Sequence, residues 1–262
     1  MLVPKDINKM NPHQLNKAIE AFIDSEKERT QFTETELRFL SMYEGNGGLV
    51  KHGAQGRGIL NEFFTPDWLV ELIWGLAKKH GYDGGTILEP SCGTGRFFQD
   101  APDKSLCVGF EINKYSAFIA EKCNPGIVVH RAFFEQAFME SPRFTKRMKD
   151  CSTWMRQYPF SLVIGNPPYG KYFNEYSSFF KKPPMLQIEL MFFYYGLQLL
   201  KAGGILIYLT SSNVLRNGMK YNEAKREIGK FADIVDAYRL PAVFEHSEVP
   251  TDIIVLKRKN NL

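Results

Sequence analysis

Phe160-Ser161-Leu162-Val163-Ile164-Gly165-Asn166-Pro167-Pro168-Tyr169 joins an apolar run to a rigid polar turn. Its first six residues are mostly apolar and end in Gly, which is typical of a buried strand, and the two successive prolines must end that strand. The four residues from Asn166 to Tyr169 therefore stand at a strand's carboxyl end. In an open α/β sheet, ligands bind at this edge.

The turn after this strand carries groups that suit one kind of ligand. Asn166 has a side-chain carbonyl and an amide, Pro167 and Pro168 fix the backbone, and Tyr169 has a flat aromatic face. An exocyclic amine on a planar heterocycle could donate to the Asn166 side-chain oxygen and to the Pro167 carbonyl, while Tyr169 covers the ring. We therefore predict that these four residues are catalytic. An ordinary loop with a turn-forming Asn-Pro is the alternative.

A second ligand-binding stretch is predicted further upstream. Thr86 to Glu89 reads as a short strand, and Pro90-Ser91-Cys92-Gly93-Thr94-Gly95-Arg96-Phe97-Phe98 makes a Gly-rich turn into a helix, where the backbone can approach a ligand closely. The next strand ends at Glu111, sixteen residues after Gly95. An acid there can accept hydrogen bonds from both hydroxyls of a ribose. Phe98 stands where a dinucleotide fingerprint has its third Gly, which favours a nucleoside-type cofactor without a pyrophosphate.

Strands and helices are predicted to alternate from residue 86 to about residue 233. This order indicates an α/β fold with a mostly parallel sheet covered by helices on both faces. Seven strands are predicted at 86–89, 105–110, 126–130, 160–165, 205–209, 234–238 and 253–257. A helix that contains Leu190 and Leu200 is predicted to end at Gly203-Gly204, and another covers 222–231.

Two amphipathic helices are predicted before the sheet. The first begins near His13, and the second begins at Thr33, where Thr33 and Glu36 form a capping-box pattern. We predict that residues 1–58 form a small helical cap with a basic loop. Residues 59–262 are then the catalytic domain.

A third helix is predicted to begin at Phe64-Thr65-Pro66. Thr65 is a good N-cap, and Pro66 suits the first helical position. Its buried stripe is predicted at helical spacing: Leu69, Leu72, Ile73 and Leu76. Capping explains the proline, but not the aromatic pair Phe63-Phe64 beside it.

Bulk composition permits several classes of partner and excludes few. The chain has 262 residues and a formal net charge of +4, so a polyanionic partner is permitted but not demanded. The sequence has neither an apolar stretch long enough to cross a membrane nor a signal-peptide pattern. We therefore predict a cytoplasmic protein without a membrane partner. Four widely spaced cysteines, Cys92, Cys107, Cys123 and Cys151, read as reduced core thiols rather than metal ligands.

Three basic stretches are candidates for nucleic-acid contact. Residues 51–58 read as a flexible basic loop, and residues 142–156 carry five basic residues against one acid. Residues 170–187 interleave aromatic and basic side chains, which suits a splayed nucleic acid. A solvated helix face and a loop that packs its own aromatics are the alternatives for the second and third stretches.

Taken together, these stretches resemble the amino-methylating DNA methyltransferases of the adenine-N6 type. Phe64-Thr65-Pro66 is similar to the family's first motif, Glu89 to Gly95 to its cofactor loop and Glu111 to its ribose acid. Asn166 to Tyr169 are similar to its catalytic Asn-Pro-Pro-Tyr motif. The order of the motifs is that of the gamma group, and the similarity runs from about residue 45 to the C-terminus.

The resemblance implies a Rossmann-like methyltransferase fold and direct transfer of a methyl group from S-adenosylmethionine to the N6 amine of a flipped adenine in DNA. No metal is implied, because the sulfonium methyl is already activated. The residues expected to contact the cofactor are Phe64, Thr65, Pro66, Glu89, Pro90, Ser91, Cys92, Gly93, Gly95, Glu111, Ile112, Phe133 and Asn166.

Two departures from the family pattern leave alternatives open. Ala132 stands where the family has an acid that reads the cofactor's adenine, so Ile112 and Phe133 are expected to hold that ring by apolar contact. We also expect no separate target-recognition domain of the kind that the gamma group has, so a partner could supply recognition. RNA bases, protein glutamine side chains and a non-catalytic cofactor-binding subunit of a larger modification system therefore remain as alternatives.

Overall fold

The computed structural model describes residues 3–4, 6–45, 64–139, 155–172, 176–177, 180, 185–215, 217–241, 243–244 and 250–260. The predicted basic loop at 51–58 lies outside these residues, as do Phe63, Cys151, most of the basic stretch 142–156 and part of the loop 170–187.

A seven-stranded sheet forms the centre of the described chain, in the order β3-β2-β1-β4-β5-β7-β6. The strands are β1 (Ile87–Glu89), β2 (Cys107–Phe110), β3 (Val128–His130), β4 (Phe160–Gly165), β5 (Leu200–Ser211), β6 (Ala232–Leu240) and β7 (Thr251–Arg258). The predicted α/β fold with a mostly parallel sheet is confirmed.

The first five strands are parallel, and the last two are not. Parallel pairs join β3 to β2, β2 to β1, β1 to β4 and β4 to β5, whereas β7 runs antiparallel to both β5 and β6. Residues 241–250, between β6 and β7, are fewer than the dozen or so that a parallel crossover needs. The short connection explains the antiparallel edge.

Helices cover both faces of the sheet. In the described ranges they are α1 (Pro12–Glu26), α2 (Glu34–Ser41), α3 (Asp67–Lys79), α4 (Arg96–Gln99), α5 (Lys114–Cys123), α6 (Ile188–Leu199) and α7 (Met219–Phe231). Short 3-10 turns occupy Ile7–Lys9, Lys104–Leu106, Phe134–Phe138 and Ser212–Leu215. No helix of the described ranges has the length and apolar character to cross a bilayer.

Successive side chains along each strand point to opposite faces of the sheet, and this divides the core into two layers. Leu88 and Val163 face the layer that α6 and α7 cover, whereas Ile87 and Leu162 face the layer that α3 and α4 cover. Each of these four side chains is fully buried. The β4 strand, buried along its whole length, therefore lies at the centre of the molecule.

The N-terminal helices pack on α5 rather than on the sheet. Ile19 and Phe22 of α1 join Phe39 and Leu40 of α2 in an apolar cluster that includes Ile119 of α5. The predicted capping box of α2 is confirmed by its two reciprocal hydrogen bonds. The division of the chain at residue 58 stays a prediction.

The start of α3 differs from the prediction. Asp67 is its first residue, Pro66 holds the N-cap position, and Thr65 lies one residue before it. The Pro66 carbonyl accepts the first helical hydrogen bonds, from the amides of Leu69 and Val70. The Thr65 carbonyl instead accepts from the Arg96 guanidinium at 3.0 Å, so Thr65 is held by α4 and does not cap α3.

Two further predictions about helices were wrong. Leu72 is 42% exposed, because the buried face of α3 includes Trp74, whose indole N–H donates to the Phe97 carbonyl at 2.9 Å. Helix α6 ends at Leu199, not at the glycine pair. Leu200 pairs with Phe160 of β4, so β5 begins five residues before Ile205.

Candidate functional site

The order of the strands reverses between β1 and β4. These two strands are hydrogen-bonded neighbours, yet the chain leaves β1 toward β2 and leaves β4 toward β5, on opposite sides. Such a switch point opens a crevice at the carboxyl ends of the two strands. Those ends carry Glu89 and Gly165, so the two stretches singled out in the sequence meet at one edge.

The Gly-rich turn after β1 has the backbone that only glycine adopts readily. Gly93 has φ 52° and Gly95 has φ 79°, both in the left-handed region. A Cβ added at Gly93 would lie 3.2 Å from the ring of Phe64. The turn is therefore compact, and the Phe64 ring covers part of it.

Glu111 follows β2 and reaches the Gly-rich turn. Its Oε2 accepts from the Gly93 amide at 2.9 Å, and its Oε1 accepts from the Asn113 amide at 2.6 Å. The carboxylate is thus fixed in orientation at the rim of the crevice, where it retains 9% exposure. The structure brings the predicted ribose acid and the predicted cofactor turn into direct contact.

Glu89 lies beneath the same turn with an unsatisfied acceptor. Its side chain is 2% exposed, and the buried Oε2 has no hydrogen-bond partner among the described residues. Burial, with a smaller contribution from the nearby Glu111 charge, raises the pKa of Glu89 well above its ordinary value. A buried oxygen of this kind is satisfied when a ligand supplies a donor.

One hydrogen bond joins the two halves of the site. The Ser91 hydroxyl donates to the Asn166 main-chain carbonyl at 3.3 Å. Pro90 is buried beside it, and the Cys92 side chain points into the core, where a Cβ on Gly109 would lie 2.7 Å from its sulfur. Cys92 therefore offers the crevice its main chain only.

Tyr169 is packed rather than open. Its ring is 9% exposed and lies 6.4 Å from the Phe244 ring, and its hydroxyl donates to the Asn166 side-chain oxygen at 2.6 Å. The sequence predicted a free stacking face. A buried tyrosine hydroxyl needs a partner, and the neighbouring carboxamide supplies it. Pro167 is buried and Pro168 half-buried between the two.

The stretch at residues 64–66 also reaches the Gly-rich turn. The Arg96 guanidinium lies 5.6 Å from the centre of the Phe64 ring and donates to the Thr65 carbonyl. Thr65 is buried and Pro66 half-buried. Arg96 thus links the stretch to α4, directly after the glycines.

Ile112 and Phe133 follow neighbouring strands. Ile112 is 46% exposed immediately after β2, and Phe133 is half-buried after β3, with its ring 5.1 Å from that of Tyr176. Ala132 packs against the adjacent core. An exposed aliphatic side chain beside Glu111 is suited to apolar contact with a planar ring.

Sequence reasoning missed one buried acid near the catalytic motif. Glu189 is fully buried in α6, and its Oε2 accepts from the Gly170 amide at 3.1 Å. Its Oε1 accepts from the Ser211 hydroxyl at 2.5 Å. Burial raises its pKa, although these two donors act in the opposite direction. A lone acid in the otherwise apolar run Ile188 to Phe193 was the available signal.

In the described ranges, no group of three or more His, Cys, Asp or Glu side chains is arranged to hold a metal ion. Cys92, Cys107 and Cys123 are free thiols.

The model of the Eco57I restriction-modification methylases matches residues 110–244, just over half of the chain. The chain belongs to this family. The matched region contains Glu111 and the whole Asn166–Tyr169 motif, while the Gly-rich turn lies outside it. The predicted family of DNA methyltransferases is thereby confirmed.

Two curated relatives are much longer than this chain. "Defense against restriction protein B" of Escherichia phage P1 is 26% identical over 98% of this chain, which covers 10% of that protein. "Type II methyltransferase M.CvrRI" of Paramecium bursaria Chlorella virus XZ-6E is 32% identical over 41% of this chain, which covers 24% of it. The chain thus corresponds to a minor part of each relative.

The fold is shared with a solved structure from Listeria monocytogenes, a protein assigned to the class I S-adenosylmethionine-dependent methyltransferases. The two superpose with a TM-score of 0.63 over 98% of this chain and 84% of the other, at 15% identity. At that identity the likeness shows the fold. Fold and family therefore agree: the chain belongs to the Eco57I restriction-modification methylases and has the fold of this solved structure.

Proposed function

We propose that this chain transfers a methyl group from S-adenosylmethionine to the exocyclic N6 amine of adenine in DNA. The observation that supports this proposal most directly is a hydrogen bond between the two halves of the crevice: the Ser91 hydroxyl of the Gly-rich turn donates to the main-chain carbonyl of Asn166. A methyl donor in the turn and an amine at the Asn166 carboxamide would be neighbours, as direct transfer requires.

The residues around the turn fit this cofactor. Glu111 is oriented by two main-chain amides and can accept from ribose hydroxyls, and Ile112 is exposed beside it. Glu89 offers a buried oxygen that lacks a donor, which suits an ammonium group. When bound, S-adenosylmethionine supplies a sulfonium methyl that is already activated for transfer.

Asn166 and Pro167 would act on the amine. The lone pair of the adenine amine is delocalised into the ring, so the nitrogen is a poor nucleophile. Hydrogen bonds from its two N–H groups to the Asn166 side-chain oxygen and the Pro167 carbonyl would favour a tetrahedral nitrogen and stabilise the positive charge that develops. By analogy with oxyanion-hole donors, aligned acceptors contribute about 3 kcal/mol each.

Tyr169 would first fix the carboxamide and then contact the base. The Asn166 oxygen has two lone pairs, so it can accept from the Tyr169 hydroxyl and from the substrate amine together. A duplex base must leave the stack to reach this site, at a cost of a few kcal/mol. Stacking on the packed Tyr169 ring would require that ring to separate from Phe244.

The first test is Asn166→Ala. We expect transfer of label from S-adenosylmethionine to DNA to fall at least about 100-fold, because one of the two acceptors is lost. Binding of S-adenosylhomocysteine, measured by calorimetry, should be retained. Asn222→Ala on the exposed side of α7 is the control. Parallel loss of cofactor binding would mean that Asn166 is structural.

The substrate class is decided by the same assay. The parent protein is incubated with labelled cofactor and DNA, RNA or a release-factor protein in turn, since a planar amide or amine in any of them could fit Asn166. Label in RNA or protein alone would refute the proposed substrate.

A subunit role is the second candidate, and it is favoured by Ala132, which stands where the family has an acid that reads the cofactor's adenine. In that case the purified chain would bind cofactor but methylate DNA only with a recognition partner.

A further inference from the structure

Glu189 is a buried acid with both oxygens in use. It lies in the first turn of α6, fully buried, and receives the Gly170 amide on one oxygen and the Ser211 hydroxyl on the other. Burying a carboxylate is costly unless it is hydrogen-bonded. The two hydrogen bonds explain how this buried carboxylate is tolerated. They also determine which two segments of the chain Glu189 connects.

One partner follows the catalytic motif directly. Gly170 is the residue after Tyr169, and its carbonyl accepts from the Ile188 amide at 2.9 Å. Just beyond, Lys171 and Gln187 form an isolated antiparallel β-bridge. The motif is therefore followed at once by a segment tied to the start of α6, and Glu189 supplies the side-chain part of that tie.

The other partner belongs to the sheet. Ser211 is the last residue of β5, and β5 pairs with β4 up to Gly165, the residue before Asn166. Glu189 thus connects the exit of the motif to the strand beside its entry. The Asn166–Tyr169 turn is held at its start by β4 and at its end by Glu189.

We propose that Glu189 is a positioning residue: its carboxylate fixes the Gly170 amide, and thereby holds Asn166 and Tyr169 at the correct distance from the Gly-rich turn. This inference rests on the proposed function of Asn166. Glu189 does not touch the reacting atoms. It acts through the main chain of the motif.

Loss of this tie should affect turnover more than binding. A displacement of about 1 Å at reacting groups can cost about 100-fold in rate. The Gly-rich turn and Glu111 follow β1 and β2 and bond to each other, whereas Glu189 bonds to Gly170 and Ser211, so cofactor affinity should not change.

The decisive variant is Glu189→Met, which keeps the length of the side chain but accepts no hydrogen bond from Gly170. We expect kcat to fall about 100-fold, S-adenosylhomocysteine affinity to be retained and hydrogen exchange at the Gly170 amide to accelerate. Glu189→Gln should keep the kcat and the exchange rate of the parent, because its oxygen can accept from Gly170 while its amide donates to the rotatable Ser211 hydroxyl.

A matched control is Glu135→Gln. Glu135 is also buried and accepts from the Tyr172 hydroxyl at 3.1 Å, so it holds the same segment through a side chain rather than through the Gly170 amide. Its variant should keep kcat. If Glu189→Met does not fold, Ser211→Ala replaces it, and a smaller loss of kcat with faster exchange at Gly170 is then expected.

The outcomes separate this inference from the proposed function. Unchanged kcat and exchange in Glu189→Met would overturn it, as would a loss of kcat, affinity and thermal stability that Glu189→Gln fails to restore. If the parent protein methylates no substrate, the proposed function fails and the exchange rate of the Gly170 amide alone decides. Faster exchange in Glu189→Met than in Glu189→Gln supports the tie, and equal exchange refutes it.

Discussion

Glu89 and Glu189 are two buried acids at two ends of one crevice, and they differ in how they are satisfied. Glu89, under the Gly-rich turn, has a buried oxygen without a partner among the described residues, whereas Glu189, beside the catalytic motif, has a donor on each oxygen. Burial raises the pKa of both, and it does so much more strongly for Glu89.

The difference shows which part of the site is incomplete. An acid whose hydrogen bonds are made within the chain stabilises a particular shape. An acid left without a donor destabilises the chain until a ligand provides one. We therefore expect changes at Glu89 to alter ligand affinity and changes at Glu189 to alter turnover.

The largest expected effect on cofactor affinity is that of Glu89→Gln. A hydrogen bond to a charged group contributes about 1.5 to 3 kcal/mol, so S-adenosylhomocysteine should bind at least about tenfold more weakly in calorimetry. Glu189→Gln is the control and should keep the affinity of the parent. Equal losses in the two variants would remove the distinction between the two acids.

The next effect concerns how the free energy of unfolding of the ligand-free protein changes with pH. Because the pKa of folded Glu89 lies above its ordinary value of 4.5, the unfolded chain releases this proton first as the pH rises. The contribution of Glu89 to the free energy of unfolding is therefore greatest below pH 4.5 and is lost as the pH rises toward the folded pKa, by up to about 1.4 kcal/mol per pH unit.

Glu89→Gln should flatten this decline in urea unfolding curves measured at several pH values. Glu189→Gln should reduce the decline of stability over a narrower pH range, since the pKa of Glu189 is raised less. A decline that persists in Glu89→Gln would assign the pH dependence to other groups.

The smallest effect concerns the N-terminal helices. The Asn113 side chain donates to the hydroxyl of Tyr43, which follows α2, at 3.5 Å. The main-chain amide of Asn113 donates to Glu111, so a long hydrogen bond links the end of the helical pair to the ribose acid. Tyr43→Phe should weaken S-adenosylhomocysteine binding by only about twofold.

Tyr115→Phe is the control for that change, because its hydroxyl joins α5 to Asp24 of α1 without reaching Glu111. If both variants weaken binding equally, packing of the helices matters and the link through Asn113 does not.

Local sequence patterns predicted the parts of the site that are local. The strand that ends at Gly165, the left-handed glycines and the strand-terminal Glu111 all follow from spacing along the chain. The exposure of Leu72 did not, because it depends on which side of α3 Trp74 occupies. The packing of Tyr169 against Phe244 likewise depends on residues 75 apart in sequence.

The role of Glu189 was also beyond local reasoning. Its partners lie in a loop before α6 and in a strand after it, and only the sheet order brings them together. A single acid in an apolar helix indicates that partners exist, but it does not say which.

The hydrogen bonding of β1 to β4 fixes one dimension of the proposed chemistry. Neighbouring strands are about 4.8 Å apart. In the proposed reaction, the separation between methyl donor and acceptor would therefore be set by the pairing of these two strands. The loops are free to vary with the target while that interval stays constant.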